Sequence, residues 1–120
     1  MNIEECYEKI GGDYAEVSAR LPGIALIERF IGIFLEDKSF DTLRQQMECE
    51  NREEAFQAAH TLKGICANLS FNRLLHSTSQ LTEELRLEEK TDFNKAIELF
   101  KEVERDYEVT ADTIRKYLDK

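Results

Sequence analysis

The sequence predicts an all-α protein, an antiparallel up-and-down four-helix bundle with additional short N-terminal helices. Helix breakers are scarce, since the 120 residues include only five glycines and one proline. Between these breakers, apolar residues recur every three or four positions, which is the helical period, and no segment competes as a strand. We expect a single domain over residues 1–120, with short helices in residues 1–36 and the bundle core in residues 39–119.

The N-terminal part predicts three helices separated by two breaks. A helix near residues 2–10 should end at Gly11–Gly12. Asp13 is then placed to cap a second short helix, with Glu16 three positions on, as in a capping box. A third helix should begin around Leu21–Pro22–Gly23, because proline fits the first turn of a helix. Its apolar stripe consists of Ile24, Ile27, Phe30, Ile31 and Phe34.

Two longer helices are predicted next. Ser39 is placed to cap the first of them. Apolar residues on one face of that helix are Phe40, Leu43 and Met47. Asn51 should cap the second, with Glu54 in the reciprocal position, and this helix should run to about Leu69. On a wheel at 100° per residue its core face consists of Ala55, Ala58, Ala59, Leu62, Ile65, Cys66 and Leu69.

The last two helices follow a turn at Ser70–Phe71. Asn72 can cap the first, and the second should start near Thr91–Asp92 and run almost to the end of the chain. The stripe of the first consists of Leu74, Thr78, Leu81 and Leu85. The stripe of the second consists of Phe93, Ile97, Phe100, Tyr107, Ala111, Ile114 and Leu118. Glu104 falls within the second stripe, where it can mark an edge between two faces.

Composition and charge exclude several classes of protein. A net charge of −9 disfavours nucleic acid, whose phosphates would be repelled. The apolar stretch over residues 24–35 is interrupted by charges and too short to span a bilayer, and residues 1–10 are too polar for a secretory signal. Cys6, Cys49 and Cys66 lack metal or redox spacing, so we expect buried or half-buried thiols in a reducing compartment. These features predict a soluble, cytoplasmic protein. We separately expect it to be a monomer.

His60 stands out because it lies on the outward half of the helix predicted from Asn51 to Leu69. Gly64 lies one turn further on, and Ala67 continues the same strip. Glycine inside a helix costs about 0.5–1 kcal/mol relative to alanine, and here its benefit is free space beside an imidazole. Lys63 lies one turn on and to one side, where an ammonium group can stabilise phosphoryl oxygens. Because neutral imidazole is nucleophilic, the pattern indicates a phosphoacceptor.

These residues resemble a known signature. The run His60-Thr61-Leu62-Lys63-Gly64, with Ala59 before it and Ala67-Asn68-Leu69 after it, is similar to that of histidine-containing phosphotransfer (HPt) domains, most closely over residues 52–86. The resemblance implies a carrier of phosphoryl groups between receiver-domain aspartates in two-component signalling. It implies His60 as the phosphoacceptor through Nε2, Lys63 as the phosphate-side cation and Gly64 as the clearance residue. The implied partners are response-regulator receiver domains or hybrid histidine kinases, with no cofactor in this chain and Mg²⁺ on the receiver.

Two positions depart from the family pattern. Members often carry a glutamine on the following helix that binds the other ring nitrogen, and the matching position here is Thr82. Ring orientation is then expected from the Thr82 hydroxyl, from Gln57 or from water. The usual glycine after the helix is replaced by Ser70. Arg86, on the same side of its helix as Thr82, is a candidate partner contact, as is Ala67 on the strip of His60.

Three functions are compatible with some part of this pattern. The favoured one is a phosphorelay carrier that is not an enzyme, because no phosphate-binding loop for ATP is present. The alternative is a docking or inhibitory module of the same fold that binds receiver or kinase domains without transfer.

The third function, a di-iron carboxylate bundle, needs two E-x-x-H pairs. Arg73 stands three positions before His76, and Gln57 three before His60, so no metal site is expected. His76 is expected to be an exposed histidine without a role. Phe56 either contacts a partner or packs under the N-terminal helices.

Overall fold

Every regular element in the computed structural model, which describes residues 1–119, is helical. The helices are α1 (Ile3–Ile10), α2 (Tyr14–Arg20), α3 (Ile24–Glu36), α4 (Ser39–Glu48), α5 (Arg52–Leu69), α6 (Asn72–Arg86) and α7 (Phe93–Leu118), with a short 3₁₀ turn at Glu88–Lys90. This confirms the predicted all-α class. None of these helices is both apolar enough and long enough to cross a membrane within the described part of the chain.

The last four helices form the bundle. α4 packs on α5, α5 on α6, and α6 on α7. Phe40 of α4 stacks on Tyr107 of α7 with the ring centroids 3.9 Å apart, which joins the first and last helices of the bundle. α1 and α3 pack against α7, and buried apolar side chains from all seven helices form one core cluster. The antiparallel order of the helices stays a prediction.

Several predicted helix starts are confirmed by their caps. The side chains of Asp13 and Asn51 accept hydrogen bonds from the backbone N–H groups of Glu16 and Glu54, at 2.9 and 3.2 Å. Asp92 caps α7 in the same way through the N–H group of Lys95. Each bond satisfies an amide that has no partner within its own helix. These local signals therefore determine where α2, α5 and α7 begin.

Two predicted caps are wrong by one residue. Ser39 is the first helical residue of α4, after Lys38 as the N-cap, and its N–H group donates to the Asp37 carboxylate at 2.8 Å. The acidic side chain two positions earlier thus takes the role expected of the serine. Asn72 is likewise the first helical residue of α6, because the chain leaves α5 through Ser70 in the left-handed conformation (φ 57°) and Phe71 serves as the N-cap.

The predicted core faces of α4 and α6 are confirmed, since all their residues are buried. On α5 only Ile65 is half-buried, and the rest of the predicted face is buried. On α3, however, Ile24 and Phe30 are 50 % and 39 % exposed, so their assignment to the core is wrong. The expectation for the cysteines is wrong at Cys49, which is exposed because it follows the end of α4.

The predicted stripe of α7 is only partly correct. Ile97 and Leu118 are exposed, whereas the residues buried outside the prediction are Ala96, Val103, Asp106, Thr110 and Tyr117. α7 contacts helices on several sides, so its buried surface is broader than one stripe and is shifted along the helix. Glu104 lies at an edge of this surface, where its carboxylate pairs with Arg44 of α4 at 3.4 Å.

The N-terminal helices are anchored to the C-terminal end of α5. The Tyr7 hydroxyl donates to the Leu69 carbonyl at 2.9 Å, and the Asp13 N–H group donates to the Ser70 carbonyl at 2.9 Å. The Arg20 guanidinium donates to the carbonyls of Ala67 and Asn68. The last turn of α5 contains no basic residue of its own, so Arg20 supplies the positive charge that the helix end favours.

Removing the Tyr7 hydroxyl tests this anchor. Tyr7→Phe should lower the free energy of unfolding by about 1–2 kcal/mol, because the buried Leu69 carbonyl loses its donor. Burial raises the pKa of Tyr7, so the hydroxyl keeps its proton and remains a donor under ordinary conditions. Urea unfolding followed by circular dichroism measures the loss, with Tyr14→Phe as the control. Equal losses in both variants would contradict the role of the Tyr7 bond.

Candidate functional site

His60 lies near the middle of α5 and its side chain is exposed. The Asn51 cap sets the start of this helix, and Glu53 and Glu54 place negative charge in its first turn, where the helix dipole favours it. Small residues on the core face, including Ala55 and Ala59, are fully buried and hold α5 against the bundle. The helix therefore presents His60 outward from a rigid support.

The backbone around His60 offers no cradle for an anion. Amides in the interior of an α-helix already donate to carbonyls four residues back. Only side chains or a partner can therefore stabilise negative charge beside this imidazole. The site differs in this respect from phosphate sites built on a helix N-terminus.

Gly64 leaves open space one turn after His60. A Cβ atom built at Gly64 would have no heavy atom within 4 Å, other than those of its own helix and chain neighbours, and the residue lies in an ordinary helical conformation. Gly11 is different, because its φ is 72° and a Cβ there would lie 2.8 Å from Nε of Arg73. Structure thus accounts for Gly11, whereas neither packing nor backbone strain requires glycine at position 64.

Lys63 is half-buried beside this strip. Its ammonium group forms no ion pair within residues 1–119, where the lysine and arginine pairs involve other side chains. An uncommitted cation one turn from an exposed imidazole can bind an anionic group attached to the ring. Ala67, the next residue on the strip, is exposed and small.

Aromatic contacts support the ring of His60 on its N-terminal side. The Phe56 and His60 rings stack with their centroids 6.0 Å apart and their planes at 21°. Arg86 of α6 places its Cζ atom 5.1 Å from the centroid of Phe56. The Nε atom of Arg86 is 3.4 Å from the carboxylate of Glu83. Arg86, Phe56 and His60 thus form a column, defined by these three residues, that joins α6 to α5.

The expectation that Thr82 orients His60 requires correction. Thr82 is buried, and its hydroxyl donates to the Thr78 carbonyl of its own helix at 2.7 Å. Gln57 is exposed, and its backbone carbonyl accepts from the Thr61 hydroxyl at 3.0 Å. Within residues 1–119 no side chain is hydrogen-bonded to the His60 ring, and its described side-chain contact is the stack on Phe56.

His76 provides a comparison within the same chain. It is exposed on α6, as expected, but it has no ring contact of the kind made by His60. Among the residues that the structure describes, no three His, Cys, Asp or Glu side chains are placed to hold a metal ion. The two histidines therefore differ in their surroundings rather than in their exposure.

A groove beside the site was missed by the sequence reasoning. It lies between α3 and α5, has a volume of about 470 Å³ and is lined by Phe30, Ile33, Ile65 and Asn68 among others. Ile33 is 49 % exposed and lies outside the stripe predicted for α3. The sequence contains a signal that could have predicted this groove. Apolar residues occupy more than one face of α3, whereas a helix buried on one side needs only one apolar face.

The comparison with protein families agrees with this geometry. The family model described as Hpt domain matches residues 30–117, which is more than half of the chain. The match covers the C-terminal half of α3 and the four bundle helices, apart from the last residue of α7. No curated protein and no solved structure gives a significant match. On the extent of the family match, this chain belongs to the Hpt domain family.

Proposed function

We propose that this protein is a phosphorelay carrier that accepts a phosphoryl group on His60 from a receiver-domain aspartate and passes it to another. Hpt domains in general carry phosphoryl groups on histidine in two-component signalling and are carriers rather than ATP-using kinases. The observation that carries the proposal for this chain is the exposed imidazole on α5 with the unobstructed backbone of Gly64 beside it.

The transfer chemistry follows from the unprotonated form of an exposed imidazole. The Nε2 lone pair attacks the phosphorus of an aspartyl phosphate, the N–P bond forms, and the P–O bond breaks as the aspartate carboxylate leaves. Nδ1 keeps its proton throughout. The second transfer is the reverse reaction on another aspartate. Because the backbone amides around His60 are already hydrogen-bonded within α5, Lys63 and the partner supply the stabilising charge, and Mg²⁺ belongs to the receiver.

The groove between α3 and α5 supports a docking surface for the receiver domain. Asn68 lines the groove and lies about 12 Å along α5 from His60, at the 1.5 Å rise per residue. The patch that a standard interface buries on each partner is wide enough to extend from His60 to this groove, so we propose that the receiver also covers Ile33 and Phe30. These two side chains are exposed and apolar in a strongly acidic protein, which is typical of an interface.

A charge introduced in the groove should separate docking from chemistry. Ile33→Glu is expected to lower the rate of transfer from a phosphorylated receiver by about five- to tenfold, because an apolar contact is replaced by a buried charge. Labelling by phosphoramidate, a small donor that needs no docking, should be unchanged. Val109→Glu is the control, since Val109 is 42 % exposed on α7. Equal transfer rates for Ile33→Glu and Val109→Glu would show that the receiver does not bind at the groove between α3 and α5.

Incubation with a phosphorylated receiver tests the proposed function itself. Acid-labile, base-stable label should appear on the wild-type protein and be released to a second receiver. Binding of the receiver without any label would instead identify a docking or inhibitory module. Screening the receiver domains encoded in the same genome supplies the candidate donors and acceptors.

A further inference from the structure

We propose that Phe56 is a positioning residue that orients the His60 imidazole for phosphoryl transfer and that Arg86 holds Phe56 in place. The proposal rests on the proposed function of His60. It assigns a role to the column of Arg86, Phe56 and His60, which joins α6 to the middle of α5.

The first support is the scarcity of other restraints on the ring. His60 is exposed, and within residues 1–119 no side chain is hydrogen-bonded to either of its nitrogens. The Thr82 hydroxyl, at the position where a restraint was expected, donates to the carbonyl of Thr78 instead. The described contact that restricts the imidazole is its stack on Phe56, at 6.0 Å and 21°. Aromatic pairs favour such offset arrangements at these separations.

The second support is that stacking leaves the reactive atoms open. The lone pair of an unprotonated ring nitrogen lies in the plane of the imidazole, and the phosphorus must approach along that direction. A neighbouring ring in an offset stack restricts rotation of the imidazole without lying in the path of this approach. Phe56 lies one turn before His60 and Gly64 one turn after it. The ring is thus supported on one side, and on the other side Gly64 leaves space for the phosphoryl group.

The third support is that Phe56 is itself held. It is half-buried and packs against the core cluster, and the Arg86 guanidinium lies over its ring at 5.1 Å. The Arg86 Nε atom pairs with Glu83 on the same helix, which limits the freedom of the guanidinium. Because Arg86 of α6 holds Phe56 in place, Phe56 can in turn restrict the orientation of the His60 imidazole on α5. The sequence left open whether Phe56 meets a partner or packs under the N-terminal helices. The described contacts of Phe56 are instead with the core cluster, with His60 of α5 and with Arg86 of α6.

Two measurements on the same variants test the role. The first is the ring-current shift of the His60 Hδ2 and Hε1 protons in NMR spectra, with exposed His76 as the internal reference. The second is the rate of phosphorylation by phosphoramidate, in which the N–P bond to His60 forms, the P–N bond of the zwitterionic donor breaks and ammonia leaves. The variants are Phe56→Leu, Phe56→Tyr as the aromatic rescue, and Arg86→Met. Thermal melting controls for loss of folding.

We expect the His60 protons of the wild-type protein to be shifted upfield relative to those of His76. Phe56→Leu should remove this shift and slow phosphorylation about two- to tenfold, which corresponds to the strength of an aromatic pair. Phe56→Tyr should keep both properties, and Arg86→Met should reduce both to a smaller extent.

The possible negative results distinguish the proposed function of His60 from the positioning role of Phe56. A wild-type protein that takes no label refutes the proposed function, and the positioning role is refuted with it. A labelled wild-type protein whose rate is unchanged in Phe56→Leu refutes the positioning role alone. The same conclusion follows if the His60 protons show no ring-current shift, or if Phe56→Tyr is slowed as much as Phe56→Leu.

Discussion

His60→Gln should abolish phosphoryl acceptance and leave the fold unchanged. Glutamine has no nucleophilic ring nitrogen, so no N–P bond can form at this position. The side chain is exposed on α5 and lies outside the core, so the free energy of unfolding should change by no more than about 0.5 kcal/mol. Autoradiography after incubation with a phosphorylated receiver measures acceptance, and thermal unfolding measures stability.

The matched control for this variant is His76→Gln. His76 is also exposed, on α6, and it lacks the neighbours of His60. The His76→Gln variant should accept label at the wild-type rate. Residual label on His60→Gln that disappears in the double variant would show that the wrong histidine had been assigned.

Gly64→Gln should keep the fold but slow transfer by about 100-fold, which is the effect that a displacement of about 1 Å at a reacting centre can have. The new side chain would occupy the space that a receiver needs beside His60. Stability should rise by about 0.5–1 kcal/mol, because a helix interior disfavours glycine and no heavy atom outside its own helix and neighbours lies within 4 Å of the added Cβ. Stopped-flow or quenched transfer assays measure the rate, and urea unfolding measures the stability.

Gly32→Ala is the control that separates stability from clearance. Gly32 also lies within a helix, with its closest neighbour for an added Cβ at 3.9 Å, on Leu118. The Gly32→Ala variant should have a higher free energy of unfolding and an unchanged rate of phosphoryl transfer. If Gly64→Gln transferred at the wild-type rate, the clearance argument would be wrong even with His60 correctly assigned.

The parts of the site that lie on one helix could be predicted from the sequence. The Asn51 cap and the helical period locate His60, Lys63 and Gly64 on the outward half of α5 without reference to any other element. Their roles remain predictions, but their placement depends only on local interactions. The same holds for the caps of α2 and α7.

The contacts between helices could not be predicted in this way. The stack of Arg86 on Phe56 depends on how α6 rotates against α5, which sequence periodicity does not determine to within one residue. The Thr82 hydroxyl is one of three restraints that the sequence suggests for the His60 ring, yet Thr82 is buried and its hydroxyl donates within α6. The exposed face of α3 also follows from packing, because α3 contacts the bundle on one side only.

The anchor of the N-terminal helices is a second non-local feature. Arg20 reaches the carbonyl of Ala67 across 47 residues of sequence, and Tyr7 reaches the carbonyl of Leu69 across 62. Neither side chain belongs to a sequence motif with a known spacing. Their effect on the site is indirect, since they hold the C-terminal end of the helix that carries His60.

Coupling between phosphorus and nitrogen tests the central claim most directly. The protein is labelled with ¹⁵N-histidine, phosphorylated by a receiver domain and examined by ³¹P and ¹⁵N NMR. We expect one phosphorus resonance coupled to Nε2 of His60, with His76 unmodified. Phosphorus bonded to His76, or retained on the receiver's aspartate while the two proteins bind each other, would contradict the account.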